Sequence, residues 1–244
     1  MSSEIGLIEN NRQDCFINSN LQAFTLFPDL LNRDLTQQLD ETAKQFKYRK
    51  VLQLQVKNIV DQLNEGKKIG KNKISDLRNT LTKLNFIPRL SCIQKILMLL
   101  FPCLFNYESG DVFKLYNQLK NAFEEVDCSL EDSEFFAPAL FCTDATLHTS
   151  QPISDIGEYR PRIVQINMNQ SHIPQEVLKS NRVFYKLNLI QCTVATSSGY
   201  HCFVIRKKGN DWFKCNDAKL TKLDSFSAVQ TICQKAVNLH LFYQ

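Results

Sequence analysis

Apolar positions along this chain recur at two different periods, and the change falls near its middle. In the first half they return every three or four residues. Ile17, Leu21 and Phe24 follow Cys15 at helical spacing, and Pro28 closes that segment. Leu35, Leu39, Ala43 and Phe46, then Leu52, Val56, Ile59 and Leu63, keep this period with a break near Lys47 to Lys50. Two helices or one kinked helix are expected there. Gly66 to Asn72, GKKIGKN, reads as a flexible basic turn, and Ser75 as the cap of a helix running to about Leu84. Ser91 to Leu104 is apolar on nearly all sides, as a buried helix would be. Tyr107 to Phe123 again shows one apolar face, made of Val112, Leu115, Tyr116, Leu119 and Phe123.

Beyond Asp127 the period falls to two. PRIVQINMN, Pro161 to Asn169, sets Ile163, Gln165 and Asn167 against Val164, Ile166 and Met168. Val183 to Thr196 alternates as well. A further strand begins after Gly199, and a Gly-Asn-Asp turn at Gly209 to Asp211 returns the chain through a second one. Helices first and antiparallel sheet second define an α+β architecture with a cleft between its halves. The expected organisation is one domain over residues 1–244, with a helical part at 1–126 and a β-rich part at 127–244.

Composition narrows this picture by exclusion. The chain is 43% hydrophobic and 22% charged, which is ordinary for a globular protein. Its longest apolar run, Ile96 to Phe105, is interrupted by Pro102, so no membrane span is expected. The first residues, MSSEIGLIENN, lack a secretory leader's basic start and apolar stretch. Nine cysteines without a C-x-x-C pair indicate neither a disulfide framework nor a zinc ribbon. The expected location is the cytoplasm or another reducing compartment, the nucleus or a host cytosol included. Net charge is only +4, but Lys44 to Lys83 carries eleven basic against three acidic residues, and Glu108 to Glu134 eight acidic against two basic. The basic stretch lacks the interleaved aromatics of a nucleic-acid module, so no nucleic-acid partner is expected. GKKIGKN is not a phosphate-binding loop, because its glycines are too close and Asn72 follows the lysine.

The chemistry centres on Cys15. A cysteine in the first turn of a helix meets the positive end of the helix dipole, which favours the thiolate. Backbone N–H groups there, with the Asn10 amide five residues upstream, are suited to donate to a developing oxyanion. This stretch resembles the cysteine box of the ubiquitin-specific proteases, G-L-x-N-x-G-N-T-C-Y-x-N-S-x-L-Q. Asn10, Cys15, Phe16, Asn18, Ser19, Leu21 and Gln22 stand in register, followed by Leu26, Phe27, Pro28, Leu31 and Arg33. Gly6 and Leu7 lie one residue too far upstream, Arg12 replaces a glycine, and Asp14 replaces the threonine before the nucleophile.

Other stretches extend the resemblance over nearly the whole chain. Tyr107 to Phe123 is similar to the family motif Q-Q-D-A-x-E-F-L, with Asp111 in the aspartate position and both glutamines missing. Pro161 to Asn169 and Val183 to Thr196 resemble two of the family's strands. Gly199, Tyr200 and His201 resemble the Gly-His-Tyr box, shifted by one residue. Trp212, Phe213, Asn216 and Asp217 follow as W-x-x-F-[DN]-D does. On a strand, His201 shares a face with Phe203 and Ile205, which puts apolar partners behind it. For His148, His172 and His240 the expectation is a solvated or structural role.

The resemblance implies a papain-like α+β fold and hydrolysis of the peptide or isopeptide bond after the C-terminal glycine of ubiquitin or a ubiquitin-like protein. It assigns Cys15 as nucleophile, His201 as general base and then acid, Asn216 as the residue orienting the imidazole, and Asn10 as an oxyanion donor. Asp217 would assist, while Asp111, Gly199 and Tyr200 would meet the substrate, whose basic tail suits the acidic stretch. No cofactor is implied. About forty residues stand where the family carries a zinc-bearing fingers extension, so reduced fingers are expected. Two alternatives stay open. One is a non-catalytic module that keeps this fold, to which Arg12, Asp14 and the shifted His201 point. The other is a papain-fold enzyme with a different substrate.

Overall fold

Helix starts and stops in the first half are set by backbone conformation more than by composition. The computed structural model describes residues 4–10, 14–26, 45–87, 115, 118–119, 140–142, 164–169, 173–180, 183–197 and 199–244. They sort into two compact units, one of Met1–Glu125 with Ala195–His201, the other of Val126–Val194 with Cys202–Gln244.

In the first unit, α1 (Cys15–Phe24) is buried along all ten residues, its polar ones included. Asn20 Nδ2 donates to the Phe16 carbonyl at 2.9 Å, and Gln22 Nε2 to the Gly6 carbonyl at 2.7 Å. Gly6 is needed for a second reason. A Cβ there would lie 2.5 Å from the Leu63 carbonyl oxygen and 2.6 Å from its Cα. Ile8 then forms a parallel bridge with Ile69, secured by Glu9 N–H to Ile69 O at 2.9 Å and Ile69 N–H to Leu7 O at 2.8 Å.

Helix α2 (Phe46–Asn64) begins after Gln45, which takes a left-handed φ of 65°. The break expected at Lys47 to Lys50 is not there, and the first of the two expected helices, from Leu35, lies outside the described residues as far as residue 44. Lys47 to Lys50 are helical, and Lys50 Nζ lies 5.8 Å from the centre of the Phe46 ring one turn back. Leu52, Val56, Ile59, Val60 and Leu63 form its buried face. At its C-terminus Gly66, at φ 78°, donates to Leu63 O at 3.0 Å, and Lys67 to Gln62 O at 2.9 Å. This is the paired closure that favours a glycine after a helix.

Helix α3 (Lys71–Lys83) starts after Gly70, not at Ser75, which lies inside it. The bridge at Ile69 ends the extended segment one residue before Gly70, so the helix starts a turn earlier than the serine signal. Ile74, Leu77 and Leu81 are its buried apolar residues. Asn85, at φ 61°, closes its C-terminus by donating to Thr82 O at 3.1 Å, with Phe86 donating to Leu81 O at 2.9 Å. Helices α1, α2 and α3 pack on one another. Of the helix expected over residues 107–123, Leu115, Gln118 and Leu119 are described; all three are helical and both leucines are buried. The helix expected at 91–104 lies outside the described residues.

The second half forms an eight-stranded sheet from β1 (Leu140–Cys142), β2 (Val164–Asn169), β3 (Val177–Ser180), β4 (Val183–Thr196), β5 (Gly199–Lys208), β6 (Asp211–Asn216), β7 (Lys219–Leu223) and β8 (Asn238–Tyr243). Strand order is β1-β2-β8-β4-β5-β6-β7, with β3 paired to β4. The registered pairs are antiparallel except β1 with β2, which run parallel. Gly209 and Asn210 make the expected two-residue turn, since Lys208 pairs with Asp211. Helix α4 (Phe226–Cys233) opens on Ser225, whose side chain accepts from Ala228 N–H at 3.3 Å. Trp212 and Phe226 meet with ring centres 5.5 Å apart, in a core that also holds Ile166, Leu187, Val229 and Leu241. The architecture is α+β and papain-like.

His240 is structural. It is buried on β8, its Nδ1–H donates to Gln191 Oε1 at 2.7 Å, and its ring centre lies 4.3 Å from that of Phe242. Burial alone pushes its pKa down to about 3.

Candidate active site

Cys15 is the first residue of α1 and is buried. Asp14 is the cap residue. Its carbonyl accepts from Asn18 N–H at 2.8 Å, and its own N–H donates to Asn10 Oδ1 at 3.2 Å. That second bond orients the Asn10 amide.

The Asp14 carboxylate does not cap the helix. It accepts from Arg78 Nε of α3 at 2.5 Å, and its side chain is 3% exposed. The same guanidinium lies over the Phe16 ring, 5.7 Å from its centre. The sequence showed a carboxylate beside a thiol, but not its counter-charge, which lies 64 residues further along. The one available signal was an arginine next to Leu77 on the apolar side of α3.

His201 is half-buried on β5, followed by the buried run Cys202, Phe203, Val204 and Ile205. Gly199 opens this strand at φ 121°, a region L side chains rarely adopt, and its carbonyl accepts from Thr196 Oγ1 at 2.9 Å. Tyr200 between them is 53% exposed. Asn216 ends β6 opposite Lys219, and Asp217 follows in the left-handed region at φ 52°. Cys15, Asn10, Gly199, Tyr200 and His201 belong to one compact unit, Asn216 and Asp217 to the other. Asp111 and Arg12 lie outside the described residues.

Cys192, Cys202, Cys215 and Cys233 are buried and unbridged. Burial pushes the Cys215 thiol up to about 11, with Arg206 opposing, and raises Cys192 well above its ordinary value. Neither is poised to react near neutral pH. Among the described residues no group of three His, Cys, Asp or Glu side chains could hold a metal ion. No described helix is long and apolar enough to cross a membrane.

No protein-family profile matches this chain, and no curated protein does. Solved structures do. A chain of the SAGA Ubp8/Sgf11/Sus1/Sgf73 DUB module is similar over 100% of this chain and 69% of that one, at TM-score 0.59 and 14% identity. The same module bound to monoubiquitin is similar over 98% of this chain and 69% of that one, at TM-score 0.58 and 14% identity. The Saccharomyces cerevisiae Pan2 pseudoubiquitin hydrolase–RNA exonuclease module in complex with AACCAA RNA matches 100% of this chain at TM-score 0.63 and 13% identity. This chain covers 54% of that one. The fold is therefore that of a divergent ubiquitin-specific-protease-like domain.

Proposed function

We propose that this chain is a cysteine hydrolase that cleaves after the C-terminal glycine of ubiquitin or a ubiquitin-like protein. The observation that carries the reading is Cys15 as first residue of a helix, preceded by an Asn10 amide whose oxygen is already engaged. The Cys15 thiolate attacks the glycine carbonyl, and the oxyanion is met by first-turn N–H groups and Asn10 Nδ2. His201, oriented by Asn216 with help from Asp217, takes the thiol proton and passes it to the departing amine. A thioester remains, and water activated by His201 hydrolyses it. Asp111, Gly199 and Tyr200 would line the path of the substrate tail. That the DUB module to which this chain is similar binds monoubiquitin supports the choice of substrate.

A second reading, a ubiquitin-binding module without chemistry, is favoured by the likeness to a pseudoubiquitin hydrolase. Ubiquitin bearing a C-terminal electrophile separates the two. A covalent adduct mapped to Cys15 supports the hydrolase. Binding without an adduct supports the module. Modification at another cysteine removes Cys15 from the mechanism, and neither binding nor adduct points to a different substrate.

A further inference from the structure

We infer that Arg78 is a positioning residue for Cys15, holding the Asp14 carboxylate off the N-terminus of α1. An aspartate at a helix N-cap ordinarily turns its side chain onto the N–H groups two or three residues on. Asp14 has the cap's backbone role, accepting from Asn18 N–H at 2.8 Å, yet makes no side-chain cap bond. Its carboxylate goes to Arg78 Nε instead.

Two consequences follow for the neighbouring residue. The first-turn N–H groups are not taken up by that carboxylate, so the positive end of α1 stays directed at the thiolate and at an oxyanion formed on it. The anion that would oppose ionisation of Cys15 is also matched by a fixed cation. Arginine suits this task better than lysine. Its planar guanidinium bonds Asp14 through Nε while lying over Phe16, 5.7 Å from the ring centre, which a point charge on a flexible stem does not reproduce.

Asp14 belongs to the start of α1 itself and Arg78 comes from α3. The buried residues of α2, Leu52, Gln53, Val56, Ile59, Val60 and Leu63, are uncharged. His201, in the Ala195–His201 segment, belongs to the same compact unit.

The role rests on the hydrolase reading for its purpose, but its test does not need ubiquitin. The pH dependence of Cys15 alkylation by iodoacetamide, located by peptide mass, reports the thiol directly. In Arg78→Gln, freeing Asp14 to cap α1 should raise the apparent Cys15 pKa by about one unit, so that alkylation well below both pKa values slows about tenfold. Adding Asp14→Thr to the same chain should restore the profile. Asp14→Asn alone, which leaves Arg78 facing the helix start, should lower the apparent pKa and covers the case in which Arg78→Gln does not fold. A folded Arg78→Gln with an unchanged profile, a double variant that stays shifted, or a rise in Asp14→Asn would each overturn the inference. A shifted profile without a ubiquitin adduct would keep the positioning role and sink the hydrolase. An adduct with an unmoved profile would do the reverse.

Discussion

Replacing His240 by asparagine should make the β-rich unit less sensitive to acid while making it weaker at neutral pH. The ring is buried, and burial holds its pKa near 3 against about 6.5 in the unfolded chain. Between those values the unfolded chain binds a proton that the folded one refuses. The contribution of neutral His240 is whole above pH 6.5 and is lost progressively as pH falls towards 3. At pH 5 the loss is about 1.5 decades of protonation, or about 2 kcal/mol. Asparagine keeps an amide donor for Gln191 Oε1 but loses the ring stacked 4.3 Å from Phe242, a packing loss of roughly 1–3 kcal/mol at pH 7.5. Urea unfolding read through Trp212, the single tryptophan and part of the main core of the same unit, reports on the unit that contains His240. The stability gap between native and His240→Asn proteins should shrink by about 2 kcal/mol from pH 7.5 to pH 5. A gap constant to within about 0.5 kcal/mol would mean that His240 accepts its proton while folded, and the account of its burial would fail.

Three further outcomes are expected. Asn10→Ala should lower turnover of a ubiquitin C-terminal reporter by about 10²–10³ while leaving the ubiquitin Kd nearly unchanged, and an unaltered kcat would assign the oxyanion to other donors. His201→Ala should abolish turnover and move Cys15 alkylation towards an ordinary thiol pKa near 8.5, whereas Tyr200→Phe should be mild; equal effects would take the base away from His201. Gly6→Ala forces a methyl against the Leu63 backbone and should cost about 1–3 kcal/mol in chemical denaturation, with full stability the refuting result.

Features carried by neighbouring residues were legible in the sequence. The strand Val183–Thr196 and the Gly209–Asn210 turn follow from alternation and turn chemistry, and α1 follows from the spacing of Ile17, Leu21 and Phe24. What escaped depends on distant partners or on single backbone torsions. Helix α2 starts at Phe46 because Gln45 takes a left-handed conformation that glutamine does not advertise. Gly70 precedes α3 because Ile69 is already tied to Ile8, so the Ser75 signal is overridden. The three residues of β1 are too short to show a period, and nothing local marks their pairing as parallel. At the site, the cysteine's place at a helix start was readable from the local pattern. The Asp14–Arg78 pair was not, because it joins two elements far apart in the chain.

The position of β8 has a consequence for how this protein is made. This strand, Asn238–Tyr243, follows the other seven strands in sequence but sits inside the sheet, bonded to β2 on one side and β4 on the other. A chain emerging from the ribosome therefore exposes the facing edges of β2 and β4, with Ile166, Leu187 and Ile190 beside them, until Asn238–Tyr243 has followed. A nascent chain stalled before Asn238 presents two open strand edges for other chains to pair with. Helices α1 to α3, by contrast, are complete within the first 83 residues and can settle while synthesis continues.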